Sequence, residues 1–275
     1  MKILASPSLV LAAAVLLCAC ANPPRFQSAQ PRTSAPAGYT LAQSPLVSET
    51  NYMTQHLDQD RSVVYFQNYG GGGLGLGVLL GPFGLAASMS TIENVTKKDV
   101  LQLKDKLDVR PKELFAEAAR QKGVDVSSDP AAFRPRITPY LHVSKTEGDA
   151  LLVSSALLAE QGAGSTQWSG RYMYQLPLKY TVSELGHLDA QGAQVLRAAA
   201  FDGFARLIAH VDGERPERVG QEKRIVFRSD LVSPRFDYEL LGMLISDDSD
   251  VVWVRTAGGV YGVRRSNIRF SLQKS

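Results

Sequence analysis

Residues 171–185 read RYMYQLPLKYTVSEL. Tyr172, Tyr174, Leu176, Leu178, Tyr180 and Val182 occupy every second position, with mostly polar residues between them. A period of two sends one set of side chains to one face of a β-strand, so this run predicts a strand over Arg171–Leu185. Pro177 lies inside it and lacks the N–H that a central ladder uses, which predicts an edge position or a bulge. Two further strands, Arg136–Val143 and Ala150–Leu158, come before it, and GAGSTQWSG at 162–170 supplies the intervening loop. After it, Leu196, Ala200, Phe204, Leu207 and Ile208 form one stripe of a helix over about Ala190–His210.

Farther upstream, Val95, Val100, Leu103 and Leu107 recur at helical spacing within Ile92–Lys122. Pro111 suits the first turn of a second helix, PKELFAEAARQK, which carries Leu114, Phe115 and Ala118 on one face and stops at Gly123. Arg61–Tyr69 is β-branched and aromatic, the composition of a strand. This order predicts an α+β fold, an antiparallel sheet with helices on one face, over residues 49–215.

Residues 216–275 change character. Arg224–Phe227, Tyr238–Ser246, Val251–Arg255, Val260–Val263 and Ile268–Leu272 are short strand patterns punctuated by DDSD at 247–250, AGG at 257–259 and RRSN at 264–267. Such tight meandering predicts a small C-terminal β-barrel or sandwich. The rhythm loosely resembles an SH3-like barrel, without a recognition motif of that family. There is no internal repeat.

The first twenty residues are read as an address. Lys2 precedes the apolar run LVLAAAVLL at 9–17, which has signal-peptide length and is too short to span about 30 Å of hydrocarbon. It ends in Leu17-Cys18-Ala19-Cys20. Leu at −3 and Ala at −1 before Cys20 resemble a bacterial lipobox, with Cys at −2 as the departure from the usual pattern. The resemblance implies removal of residues 1–19, a diacylglyceryl group on the Cys20 thiol and an acylated amine. Ala21 at +2, where Asp would retain the chain in the inner membrane, implies the periplasmic face of the outer membrane. The two cysteines of the chain are Cys18 and Cys20, so the processed chain keeps no other thiol. Residues 20–48 hold five prolines among Ser, Ala, Gln and Thr and predict a flexible tether.

Between Arg61 and Glu93 there is no charged residue, and the gap holds YGGGGLGLGVLLGPFGLAASMS at 69–90. Gly70, Gly72 and Gly75 match G-x-G-x-x-G, but Gly81-Pro82 interrupts the helix a dinucleotide site needs, and a P-loop lysine is lacking. The apolar part from Leu74 to Met89 falls short of a membrane span. Gly73, Gly77 and Gly81 are four apart and on a helix would make a flat surface for close backbone approach. Two kinds of use fit: a contact surface for self-association, an envelope partner or shallow insertion in a bilayer leaflet, or packing inside the protein. The segment resembles Gly-rich hydrophobic stretches of uncharacterised proteobacterial outer-membrane lipoproteins.

No pattern of catalytic residues is apparent. His56, His142, His187 and His210 lie in no metal-binding spacing, no G-x-S-x-G elbow surrounds Ser165, and DDSD lacks the spaced ligands of a calcium loop. His210 at a helix end suits the dipole there. Arg255, Arg264, Arg265 and Arg269 would make a basic strand face. Trp168, Tyr172 and Tyr174 are a candidate ligand face, with core packing as the other use of alternating aromatics. A formal charge of +3, with no run of like charges, argues against nucleic acid. No cofactor or metal is expected. The expected function is a non-catalytic binding or scaffold role in the envelope, with an envelope hydrolase or a small-ligand or glycan binder as the alternatives.

Overall fold

In the computed structural model, the described residues are 26–31, 38–43, 54–58, 60–67, 93–129, 135–146, 149–162, 167–233 and 239–273. Cys20, Gly73, Gly77 and Gly81 lie outside them, as does Ser165. The strand read from alternation is the hub of one sheet: β7 (Trp168–Tyr180) pairs antiparallel with β6 (Leu151–Gln161), which pairs antiparallel with β5 (Arg136–Lys145). Pro177 sits where the β6–β7 register slips, since Leu152 faces Lys179 while Ser154 faces Gln175. The bulge absorbs the residue that cannot donate.

The strand ends sooner than its alternation suggested. Thr181 accepts from the Glu184 backbone N–H (3.1 Å) and Glu184 accepts from the Thr181 N–H (2.7 Å), a capping box that opens the short helix Val182–Gly186. The T-x-x-E signal outweighs the β propensity of Val182.

Five helices are described, at residues 93–103 (α1), Pro111–Gln121 (α2), Val182–Gly186 (α3), Ala190–Gly213 (α4) and Pro216–Val219 (α5). Asp189 caps α4 through the Gly192 N–H, and α2 starts on Pro111 and ends before Gly123 in the left-handed region. Leu196, Ala200, Phe204, Leu207, Ile208 and Val211 of α4 pack with Phe115 of α2 against Tyr172, Tyr174 and Leu176. A second core on the opposite face joins Val64, Tyr140, Leu152, Ala156 and Met173 to Val252, Val254, Tyr261 and Val263, with no described helix in it.

The C-terminal strands correct the expected architecture. β8 (Lys223–Ser229), β9 (Leu240–Asp247), β10 (Val251–Thr256), β11 (Gly259–Arg264) and β12 (Ile268–Leu272) form an antiparallel meander in the order β12-β8-β9-β10-β11. They do not close into a barrel: β11 runs parallel to β7, with Val260 opposite Tyr172 and Gly262 opposite Tyr174, giving one mixed sheet of twelve strands among the described residues. Docking on β7 satisfies the backbone edge that closure would otherwise satisfy, and it carries Val251, Trp253 and Val260 into the core under α4. The fold is α+β, with a mixed sheet in place of an antiparallel one.

Parts of the Pro-rich stretch are also built in. β1 (Tyr39–Leu41) lies parallel to both β5 and the short β4 (Val126–Ser127), and Tyr39 packs edge-on against Phe115. The hairpin of β2 (Thr54–Asp58) and β3 (Val63–Gln67) adds to β5 through β3, again in parallel.

Candidate functional site

On β10 alternate side chains point toward α4, so Val251 and Trp253 are followed on that face by Arg255. Its side chain is 1% exposed. A guanidinium taken out of water needs partners for its charge and its donors, and the α4–β8 connection supplies two. Arg255 grips Glu222 with both Nε and Nη2 at 2.9 Å, and Nη2 also donates to Glu214 at 2.8 Å. The remaining Glu214 oxygen accepts from the Tyr172 hydroxyl (2.8 Å) and the Gln30 backbone N–H (3.0 Å). Burial alone would lower the Arg255 pKa, but the two carboxylates raise it above its ordinary value. Burial, and then the charge of Glu214, push the Tyr172 hydroxyl up, so it stays a proton donor.

His210, one turn before the end of α4, stacks on Trp253 with ring centroids 4.1 Å apart and planes 10° from parallel. Burial pushes its pKa down to about 4, with Arg255 adding to the fall and Glu214 opposing it. The imidazole is therefore neutral near pH 7, and the charge–dipole role expected for it does not apply. Its Nε2 is buried without a hydrogen-bond partner.

A strap from the N-terminal stretch completes the cluster. Gln27 donates its N–H to the Thr256 carbonyl (2.9 Å), while its side-chain oxygen accepts from the Arg171 N–H (2.8 Å) and its carbonyl from Arg255 Nη1 (3.2 Å). Ser28 accepts from the Trp168 indole N–H at 3.1 Å. These bonds make residues 26–31 part of the fold, where a free tether had been expected. Beside the cluster a cleft of about 620 Å³ opens between the end of α4, α5 and the start of β8; His210, Glu214, Arg215, Arg218, Lys223 and Arg255 line it.

The sequence-derived candidates are redistributed. Tyr172 and Tyr174 are buried beneath α4, where Tyr174 packs on Trp253 (5.9 Å) under the Arg206 guanidinium (5.4 Å). With Trp168 held by Ser28, the three form no open aromatic face; Tyr172 reaches the site through its hydroxyl alone. The basic strand face is broken up as well, because Arg255 is internal and Arg265 pairs with Asp247 (3.4 Å) over the Phe270 ring. DDSD is a hairpin turn closed by the Asp248 N–H to the Val251 carbonyl. Among the described residues, no group of three or more His, Cys, Asp and Glu side chains is placed to hold a metal ion, and no helix is long and apolar enough to cross a membrane.

Glu214 and Glu222 were missed by sequence reading. The available signal was a charged residue at an apolar position of an alternating strand, VVWVR at 251–255, which demands a buried counter-charge. No family model, curated protein or solved structure matches this chain.

Proposed function

We propose that this chain is a lipoprotein held by Cys20 at the periplasmic face of the outer membrane, and that it works there by binding rather than by catalysis. The observation that supports this reading best is the ionic cluster at the cleft. Arg255 and Glu214 tie the wall of the cleft to Gln27 and Gln30, a few residues after the proposed lipid site. Each carboxylate of the cluster is occupied by fixed donors, an arrangement that suits a rigid binding wall better than proton transfer.

The Gly-rich segment at 70–90 remains the proposed contact surface for an envelope protein or a second copy of the chain. Both parts of the reading are tested in cells that express the full chain. Labelled palmitate should enter the wild type and not a Cys20→Ala variant. Crosslinking followed by mass spectrometry should capture a specific partner or a self-adduct that Gly77→Leu loses. An unlabelled wild type would end the lipoprotein reading, and an adduct pattern unchanged by Gly77→Leu would return the segment to internal packing.

A further inference from the structure

The charges around the cleft are unequally committed. Glu214 and Glu222 spend their oxygens on Arg255, Tyr172 and Gln30, so they present no bare acceptor to the cleft. The cations at its mouth are not spent in this way. Among the described residues, Arg218 and Lys223 are exposed and form neither an ion pair nor a side-chain hydrogen bond, and Arg215 bonds only to backbone carbonyls of its own turn. Arg215, Arg218, Lys223 and Arg255 line the cleft against Glu214 and Glu222, an excess of two positive charges that attracts anions.

His210 lines the same cleft, and its Nε2 is buried without a hydrogen-bond partner. A neutral imidazole can carry its proton on that nitrogen and donate it to an oxyanion. Arginine, lysine and an imidazole N–H are together the donor set that phosphate oxygens take.

Position adds the source of the phosphate. Phe26, where the strap begins, is six residues from Cys20, a chain length that reaches at most about 20 Å. The strap then runs to Glu214 on the cleft wall. A domain so closely tied to its lipid holds this cleft near the headgroups.

We propose that the cleft between α4, α5 and β8 binds the phosphate of an anionic lipid headgroup, with Arg218 and Lys223 as the capturing cations and His210 Nε2 as the inner donor. This rests on the lipoprotein reading above for the source of the ligand, and on the cleft alone for its chemistry.

The chain has two tryptophans, and Trp253 stacks on the cleft histidine. A full-length Trp168→Phe chain in uncharged detergent therefore reports on the cleft by fluorescence. The probes are dihexanoyl phosphatidylglycerol, dihexanoyl phosphatidylcholine and inorganic phosphate. A saturable response to the phosphatidylglycerol is expected, at least about tenfold tighter than to phosphatidylcholine or phosphate, since a lipid adds apolar contact and a net charge to the same oxyanion. The added pair Arg218→Glu and Lys223→Glu should abolish it with the unfolding midpoint unchanged, because both residues are exposed. His210→Phe keeps the stack and should weaken binding by about tenfold, the loss of one hydrogen bond to a charged group.

A response of equal strength to phosphate alone would overturn the lipid source, and one unaffected by the charge reversals would overturn the site. No response from any probe would overturn the whole proposal. The two readings fail separately: a palmitate-labelled protein that ignores phosphatidylglycerol sinks only this inference, whereas an unlabelled protein that binds it sinks only the anchor.

Discussion

Arg255 is the residue on which the architecture of the site depends. Its removal leaves two buried carboxylates facing each other without a counter-charge. Arg255→Ala should therefore cost about 3–5 kcal/mol of stability, read as a lower urea midpoint. Tyr172→Phe takes only one donor from Glu214 and should cost about 1–3 kcal/mol. Equal losses from the two would mean that the cluster is not organised around the guanidinium. The histidines make a different prediction, in pH. Burial lowers the pKa of His210 to about 4, and that of His142 to about 3 with help from Arg171. In the unfolded chain both take a proton near pH 6.5. Below that pH the unfolded state binds protons that the native state refuses, so stability is complete above about pH 6.5 and falls as the pH drops toward the folded values. Urea midpoints at pH 7.5 and 5.0 should show this fall, and it should be smaller in His210→Phe. An identical fall in that variant would place the His210 titration at its ordinary value.

At the scale of the element, α4 approaches β6 so closely that a Cβ on Gly203 would stand 2.6 Å from Ser155 Oγ and 3.0 Å from Leu176. Ser155 cannot swing away without giving up its 2.9 Å bond to the Ala200 carbonyl. Gly203→Ala should thus destabilise by about 1–3 kcal/mol in spite of the better helix propensity of alanine. A stabilised variant would show that α4 can lift off the sheet at little cost. Thr181→Ala breaks the capping box of α3 and should cost about 1 kcal/mol. Elements of this kind were legible in the sequence because their signals are local: the alternation in β7, the stripe on α4, Pro111 and Gly123 at the ends of α2. Pro177 even announced its bulge. The signals that failed were non-local. Tyr39–Leu41 is three residues in a proline-rich setting, and nothing nearby says that its partners lie at Val126–Ser127 and Arg136–Ile137. Glu214, Glu222 and Arg255 are likewise scattered in the chain and become a site only when β10 is laid beneath the end of α4.

The joint between β7 and β11 decides whether the molecule is one cooperative unit. Parallel pairing cannot be announced by a tight turn, which is why residues 216–275 read as a module of their own. In the folded chain their strands share a ladder with β7, Trp253 and Val260 lie in the same core as Phe204 and Tyr172, and Arg255 holds the α4–β8 connection through Glu214 and Glu222. Cutting the chain at 215/216 would expose that core and leave β11 with a bare edge. Residues 216–275 expressed alone should therefore lack cooperative unfolding and bind a dye for exposed apolar surface, while the whole chain should unfold in a single transition by both near-ultraviolet and far-ultraviolet circular dichroism. Gly262 tests the joint in the intact protein. A side chain there would meet Tyr174 at 2.9 Å and Trp253 at 3.0 Å, so Gly262→Val should pry β11 from β7 and split the two signals into separate transitions. Coincident transitions in that variant, or a fragment that melts cooperatively on its own, would mean that the C-terminal meander carries its own core and that the shared sheet is only a docking contact.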